Sequence, residues 1–158
     1  MPLIDLHHFN VKTQDLEATD RFYVELLGMT FADRPQFDFP GRWYNVGTTQ
    51  VHVMAGKAGR DADGAAPYGG AAVDHIAFYG REFDAMKRRL EEHGLEWRQF
   101  SIPPAKLWQL FVHDPNGVLI EINFDVTQEP AGAKGPDGGK QYEPGHFLPN
   151  MSKRRKQP

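Results

Sequence analysis

An internal repeat constrains the fold of this chain more than any other sequence feature. The same order of predicted elements, a strand, a helix and three further strands, occurs in residues 3–54 and again in residues 73–124. Alternating apolar residues indicate the strands, and an apolar stripe at helical spacing indicates each helix. A unit of this size must bury its hydrophobic face against other parts of the protein. The sequence therefore predicts an α+β fold with two βαβββ modules in one domain, residues 1–126.

Local signals place the individual elements. Asp15 is the predicted N-cap of the first helix, Gly28 its terminating residue, and Asn116-Gly117 a hairpin turn. Strands are predicted at 3–12, 29–33, 41–46, 50–54, 73–79, 96–101, 106–113 and 118–123, with the second helix at 81–93. Residues 55–71, rich in Gly, Ala and Asp, predict a flexible connector. Residues 127–158, rich in Pro, Gly, Lys and Arg, predict a partly disordered tail.

The composition excludes several classes of function. The 158 residues contain no cysteine, which rules out disulfides, thiolate metal sites and a catalytic thiol. A net charge of -3 argues against a nucleic-acid groove. We find neither a signal peptide at the N-terminus nor an apolar stretch approaching the ~20 residues of a membrane span. A cytoplasmic protein without membrane or nucleic-acid partners is expected.

Superposition of the two repeats pairs four residues that can bind a metal. His8 falls on His75, and His52 falls on Glu121. The spacings agree, because His52 lies 44 positions after His8 and Glu121 lies 46 positions after His75. If the modules pack about a pseudo-twofold axis, all four side chains converge near that axis. His7 has the opposite strand parity and is interpreted as a strand-edge residue, while His93 and His113 end a helix and a strand.

The strand parity of these four residues supports a metal site. Successive side chains point to opposite faces of a sheet, and in each strand the apolar neighbours take the helix-facing positions. Glu121 lies within the apolar run 118–122, where an unpaired carboxylate would be costly to bury. We therefore predict one divalent metal ion bound by His8, His75 and Glu121. His52 is either a fourth ligand or an acid–base group beside the metal.

Several stretches of the chain resemble a known family. They are His8-Phe9-Asn10-Val11, Asp15-Leu16-Glu17, the run 22–29 (FYVELLGM), His75-Ile76-Ala77-Phe78 and the run 111–121 (FVHDPNGVLIE). They resemble the glyoxalase/bleomycin-resistance/dioxygenase superfamily, also called the vicinal oxygen chelate superfamily. The resemblance covers residues 3–124 and leaves the tail unexplained. It implies that the two modules pair into a cupped mixed sheet around a central metal site, often within a homodimer.

The resemblance implies a metal-dependent reaction on a small substrate bound through two neighbouring oxygens. Lyase or isomerase chemistry is the preferred expectation, with His52 and Glu121 as the catalytic residues and Fe, Mn, Ni, Co or Zn as the ion. Those branches usually place glutamate or glutamine where this chain has His52. An Fe(II)-dependent dioxygenase is the alternative. Ring-cleaving dioxygenases carry a tyrosine ten residues before the glutamate, where this chain has Phe111. Tyr44 and Tyr79 are considered as substitutes for its hydroxyl.

Resistance and drug-binding functions are less favoured. The fosfomycin-resistance branch has a threonine where this chain has Asn10, and the bleomycin-binding branch lacks the metal. Strand parity predicts that Asn10, Gln109 and Phe111 line the substrate pocket. Further candidates for substrate recognition are the basic residues Arg42, Arg98 and Lys106.

Overall fold

The computed structural model describes residues 6–70, 73–144 and 147. Its contacts divide the chain into two compact units, Met1–Gly69 and Gly70–Pro158. Each unit contains one copy of the predicted repeat, and the two are called here the first and the second module. Within the described ranges, no helix is long and apolar enough to cross a membrane.

The first module contains one mixed sheet and one main helical stretch. Its elements are β1 (His8–Lys12), α1 (Leu16–Asp20), a π-helical segment (Arg21–Leu26), β2 (Thr30–Phe31), β3 (Gly41–Val46) and β4 (Thr49–Met54). The strand order is β1-β4-β3-β2, with β1 parallel to β4 and the other pairs antiparallel. Asp15 accepts a hydrogen bond from the Ala18 N–H at 2.9 Å, so the helix begins where the sequence predicts. Gly28 follows the helical stretch with a φ of 75°.

The second module repeats this arrangement. Its elements are β5 (His75–Tyr79), α2 (Phe83–Glu92), β6 (Trp97–Ile102), β7 (Leu107–His113) and β8 (Leu119–Asp125), with short 3-10 helices at Pro103–Ala105 and Val126–Gln128. The strand order is β5-β8-β7-β6, and β5 is parallel to β8. The predicted fold class, α+β with two βαβββ modules, is confirmed.

Predicted and observed strand ends differ mainly at the margins. Residues 41–46 form a strand as predicted, whereas the predicted strand 29–33 is reduced to Thr30–Phe31. β1 begins at His8, so Leu6 and His7 of the predicted first strand lie before it. Residues 3–5 of the predicted first strand lie outside the described residues.

One face of the second sheet packs against α2 and the other face carries Glu121. The rings of Trp108 and Phe124 lie 5.6 and 5.3 Å from the ring of Phe83, which is the first residue of α2. Leu110 is fully buried on this helix-facing side. Because side chains alternate along each strand, the residues between these positions point to the opposite face. The predicted strand parity around Glu121 is therefore confirmed.

The beginning of the connector packs on the first module. A 3-10 helix, Gly56–Gly59, follows β4, and the Gln14 amide donates a hydrogen bond to the Gly59 carbonyl at 2.9 Å. A Cβ atom on Gly59 would lie 2.4 Å from the Thr13 carbonyl oxygen, so this close approach requires glycine. Residues 71–72, the end of the predicted connector, lie outside the described residues.

The described part of the C-terminal tail, residues 127–144 and 147, packs on the second module. The Glu129 carboxylate accepts hydrogen bonds from the N–H groups of Glu82 and Phe83 at 3.0 and 2.7 Å, and thereby caps α2. The Asp84 carboxylate accepts from the N–H of Lys134 at 2.7 Å. Residues 145–146 and 148–158 of the predicted tail lie outside the described residues.

Candidate functional site

The second module brings two of the predicted ligands together. β5 and β8 are parallel neighbours, and Leu119 and Glu121 pair in register with His75 and Ala77. His75 Nε2 lies 3.2 Å from Glu121 Oε2. Two ligand atoms that bind one divalent ion through bonds of about 2.1 Å at a tetrahedral or right angle lie about 3 Å apart. The spacing of His75 and Glu121, called here the donor pair, therefore fits a metal.

Two amide side chains hold the Glu121 carboxylate in place. Oε1 of Glu121 accepts hydrogen bonds from the side-chain amides of Gln109 at 2.9 Å and of Asn123 at 2.6 Å. Glu121 is 8% exposed, so these bonds offset much of the cost of burying its charge. They also leave Oε2 facing His75. Gln109 lies on this face as predicted, and sequence reasoning did not assign a role to Asn123.

Asp74 orients the His75 ring. His75 Nδ1 lies 2.7 Å from Asp74 Oδ1, and because a carboxylate only accepts, the ring proton lies on Nδ1. Nε2 then presents a lone pair toward Glu121 Oε2. Two acceptors at 3.2 Å repel each other unless a proton or a metal ion lies between them. Carboxylates that orient a metal-binding histidine in this way are common in protein metal sites, although sequence reasoning did not select Asp74.

The first module brings the other two predicted ligands together in a different way. The rings of His8 and His52 are stacked, with centroids 3.8 Å apart and planes 17° from parallel. On its other side His52 stacks on Trp43, with centroids 4.0 Å apart. An imidazole binds a metal in the plane of its ring, so two stacked rings direct their lone pairs along parallel lines. In this arrangement His8 and His52 do not form a converging ligand pair.

The environment of His52 favours its neutral form. The side chain is 6% exposed, and its Nε2 lies 2.9 Å from Gln50 Oε1. Burial, followed by electrostatic interactions with His8, His7 and Arg34, lowers the pKa of His52 to about 4. At neutral pH this imidazole is therefore a proton acceptor. Because Nε2–H donates to Gln50, the free lone pair lies on Nδ1.

His7 contacts this group, which the sequence interpretation did not predict. Its Nδ1 is hydrogen-bonded to His8 Nδ1 at 2.7 Å, and its ring lies edge-on to the ring of His52. The parity argument does not apply to His7 because it precedes β1. Each module thus contains two predicted ligands. The described residues include no group of three His, Asp or Glu side chains that could hold a metal ion.

The predicted pocket residues have distinct surroundings. Asn10 is exposed on β1 and pairs in register with His52. Phe111 is 2% exposed, and its ring lies 6.3 Å from the ring of His75 in an edge-on contact. Phe111 therefore forms an apolar wall beside the donor pair. That these residues contact substrate stays a prediction.

Two of the predicted recognition residues are occupied within their own modules. Arg42 forms an ion pair with Asp20 at 3.3 Å, and Arg98 forms one with Glu96. Of the two tyrosines considered as substitutes for a hydroxyl at Phe111, Tyr44 donates to Asp20 at 2.7 Å in the core. Tyr79 is 82% exposed.

Sequence reasoning missed the tyrosine that does lie beside Phe111. Tyr142, from the C-terminal tail, stacks on Phe111 with ring centroids 3.7 Å apart and planes 8° from parallel. It is 9% exposed and belongs to a buried apolar cluster with Phe111, Leu119 and Phe147. The periodicity of the strands carries no signal for this contact, because residue 142 lies outside both repeats.

Comparison with known proteins identifies relatives of the whole two-module region. A family model described as Glyoxalase/Bleomycin resistance protein/Dioxygenase superfamily matches residues 5–122. Glyoxylase I 4 of Arabidopsis thaliana is 25% identical over 123 residues, which are 76% of this chain and 70% of that protein.

Solved structures share the fold at lower identity. A lactoylglutathione lyase from Agrobacterium tumefaciens is 18% identical with a TM-score of 0.61, covering 80% of this chain and 98% of that one. TnmS3, an antibiotic binding protein from Streptomyces sp. CB03234, is 23% identical with a TM-score of 0.58, covering 79% and 98%. These two structures support the fold alone, since one is named as a lyase and the other as a binding protein.

Proposed function

The chain belongs to the glyoxalase/bleomycin resistance protein/dioxygenase superfamily, and we propose that it is a metal-dependent lyase or isomerase acting on a small substrate with two neighbouring oxygens. His8, His75 and Glu121 are the proposed ligands of one divalent ion, which would be Fe, Mn, Ni, Co or Zn. When bound, such an ion supplies a Lewis acid that stabilises negative charge on the substrate oxygens.

The donor pair is the observation that best supports this proposal. His75 Nε2 and Glu121 Oε2 are two acceptors 3.2 Å apart. Asp74 holds the His75 ring through Nδ1, and Gln109 holds the Glu121 carboxylate through Oε1. Holding two acceptors in this way is unfavourable unless a proton or a metal ion lies between them. The proposed metal ion would lie between these two atoms. His8, at the equivalent position of the first repeat, is the proposed third ligand.

His52 is the proposed proton acceptor of the reaction. It is neutral at pH 7, and its Nδ1 carries the free lone pair that would accept the proton. Its stacking between His8 and Trp43 favours this role over that of a fourth ligand. In lyase or isomerase chemistry such a base removes the proton from a carbon next to a carbonyl group. Gln50 holds the ring orientation by accepting the Nε2 proton.

Metal analysis combined with a proton-exchange assay tests the proposal. Protein purified without added metal should retain about one divalent ion per chain, and Glu121→Ala should lose it because the ligand set becomes incomplete. Glu17→Ala, which changes a 91% exposed side chain, is the matched control. Small hydroxycarbonyl compounds should exchange their acidic C–H for solvent deuterium only with the metal-loaded protein. Normal metal content in Glu121→Ala would refute the ligand assignment, and metal-independent binding of small molecules would indicate a binding protein instead.

An Fe(II)-dependent dioxygenase is the second candidate. The stacked position of His52 favours a set of two histidines and one carboxylate, which is the ligand set of many non-haem Fe(II) oxygenases. The two candidates are distinguished by loading the apo-protein with Fe(II) under nitrogen and then adding catechol and oxygen. Repeated turnover to a ring-cleaved product would replace the lyase or isomerase proposal with this one.

We also propose that the chain forms a homodimer. Phe31, on the edge strand β2, is an apolar side chain that is 56% exposed. Exposed sheet edges and apolar side chains are commonly covered by a partner subunit. Light scattering should give twice the 17.9 kDa chain mass across the micromolar range. A monomer over that range would contradict the proposal.

A further inference from the structure

A segment of the C-terminal tail, residues 137–142, is attached along the edge strand β6. The backbone N–H of Gln99 donates to the Lys140 carbonyl at 2.9 Å, and the Gln99 carbonyl accepts from the Tyr142 N–H at 2.9 Å. The Gln99 side chain is fully buried and donates to Asp137 Oδ1. Asp137 also forms an ion pair with Lys87 on α2 at 2.6 Å. The contacts with Gln99 and Lys87 therefore fix the backbone that carries Tyr142.

This attachment places the Tyr142 ring on the face of the second sheet that carries the donor pair. Tyr142 stacks on Phe111, which is the register partner of Glu121 in the neighbouring strand. Phe111 in turn makes an edge-on contact with His75. The Tyr142 ring thus extends the apolar wall that Phe111 forms beside the donor pair. The Tyr142 hydroxyl is a polar group within this wall.

The Tyr142 hydroxyl is a proton donor without an acceptor. Burial raises the pKa of Tyr142, and the carboxylates of Asp74 and Glu121 raise it further, so the phenol stays protonated at neutral pH. Among the described residues, no group accepts a hydrogen bond from this hydroxyl. The nearby carboxylates accept from other donors, Glu121 Oε1 from Gln109 and Asn123, and Asp74 Oδ1 from His75. Because it has no acceptor among the described residues, this hydroxyl is available to donate a hydrogen bond to a ligand.

We propose that Tyr142 is a substrate-binding residue that donates a hydrogen bond to an anionic oxygen of the molecule held at the donor pair. This inference rests on the proposed metal-dependent function and names its substrate class more closely. The ligand is a small chelating oxyanion, such as an enolate or a hydroxamate, with one negatively charged oxygen on the side of Phe111. A neutral donor suits such an oxygen because it stabilises the charge without giving up its proton.

Binding of acetohydroxamate to the Co(II)-loaded full-length chain tests this inference. Acetohydroxamate offers two neighbouring oxygens, one of them anionic, and its binding is followed by calorimetry and by the visible spectrum of Co(II). Tyr142→Phe removes only the hydroxyl and keeps the ring that stacks on Phe111. The variant should bind acetohydroxamate about tenfold more weakly, the effect of one hydrogen bond to a charged acceptor, with unchanged Co(II) content. Tyr79→Phe makes the same change at an 82% exposed tyrosine and should bind as the wild type does.

The outcomes separate this inference from the proposed function. If the wild type holds no Co(II), the metal-dependent function fails. If the wild type binds Co(II) and acetohydroxamate and Tyr142→Phe binds both equally well, only the role of Tyr142 is refuted. Loss of Co(II) from Tyr142→Phe would also overturn the inference, because it would show that the tyrosine supports the metal ligands and not the substrate.

Discussion

Replacing Asp74 with asparagine should weaken metal binding while leaving every proposed ligand in place. Asp74 Oδ1 lies 2.7 Å from His75 Nδ1, and its carboxylate allows only the ring tautomer with the proton on that nitrogen. Asparagine has nearly the same shape but can present either a carbonyl oxygen or an amide N–H. The second orientation favours the opposite tautomer, in which Nε2 carries a proton and cannot bind a metal. The loss of negative charge also makes Nε2 less basic.

The solvent exposure of this pair sets the expected magnitude. Removing a partner that orients a metal-binding histidine typically costs about 10- to 100-fold in metal affinity. The side chains of Asp74 and His75 are 70% and 36% exposed, so water screens much of their interaction. The lower end of the range applies, and we expect a loss of about tenfold, or about 1.4 kcal/mol.

Competition titration with a chromophoric chelator and Zn(II) or Co(II) measures this loss. Asp33→Asn makes the same change of charge and shape at an exposed aspartate of the first module, and should bind metal as the wild type does. Equal affinities of Asp74→Asn and Asp33→Asn would refute the orienting role of Asp74. If Glu121→Ala still lost its metal in that experiment, the donor pair itself would remain supported.

Three further predictions concern the proton acceptor and the stability of the fold. His52→Gln should keep its metal but lose about 100-fold or more in the rate of C–H exchange, because a glutamine cannot accept a proton, and metal content measured beside deuterium incorporation checks this. Leu110→Ala should lower the free energy of unfolding by about 2–5 kcal/mol in urea titrations, because it removes a fully buried side chain. Burial lowers the pKa of His113, so the folded state resists its protonation; its stabilising effect is present above the unfolded pKa of about 6.5 and is lost as the pH falls toward the lower folded value. Urea midpoints of His113→Gln should therefore fall less between pH 7 and pH 5 than those of the wild type, and equal slopes would contradict this.

The repeat and the strand pattern were sufficient to predict the two modules and the pairing of equivalent positions. His8 pairs in register with the residue two before His52, and His75 pairs with the residue two before Glu121, so the equivalence read from the sequence is present in both sheets. Such relations are predictable because the alternation of side chains fixes which residues share a face. The N-cap Asp15 was predictable for a similar reason, since its hydrogen bond is local.

The contacts that complete each half of the candidate site were not predictable. The Gly- and Pro-rich tail has no periodic pattern, and its attachment depends on single contacts to distant residues, such as Glu129 at the start of α2 and Lys140 beside Gln99. Tyr142 reaches Phe111 only through this attachment. Stacking between rings from neighbouring strands, as at His52, depends on side-chain rotamers that strand parity does not determine.

The register of the two sheets shows how the modules differ around equivalent residues. Trp43 pairs with His52 in the first sheet, and Phe111 pairs with Glu121 in the second. One step along, at the positions on the same face, Gly41 pairs with Met54, whereas Gln109 pairs with Asn123. The two amide donors that stabilise Glu121 therefore have no counterparts in the first module.

This difference explains why one module carries a carboxylate and the other an imidazole. A Cβ atom on Gly41 would lie 2.3 Å from a carbonyl oxygen of β4, so position 41 cannot carry a side chain equivalent to Gln109. A carboxylate in place of His52 would be buried against Trp43 without the donors that Glu121 has, at a high cost in free energy. A neutral imidazole avoids that cost and stacks on the indole. The second module is thus suited to hold a carboxylate, and the first a neutral imidazole.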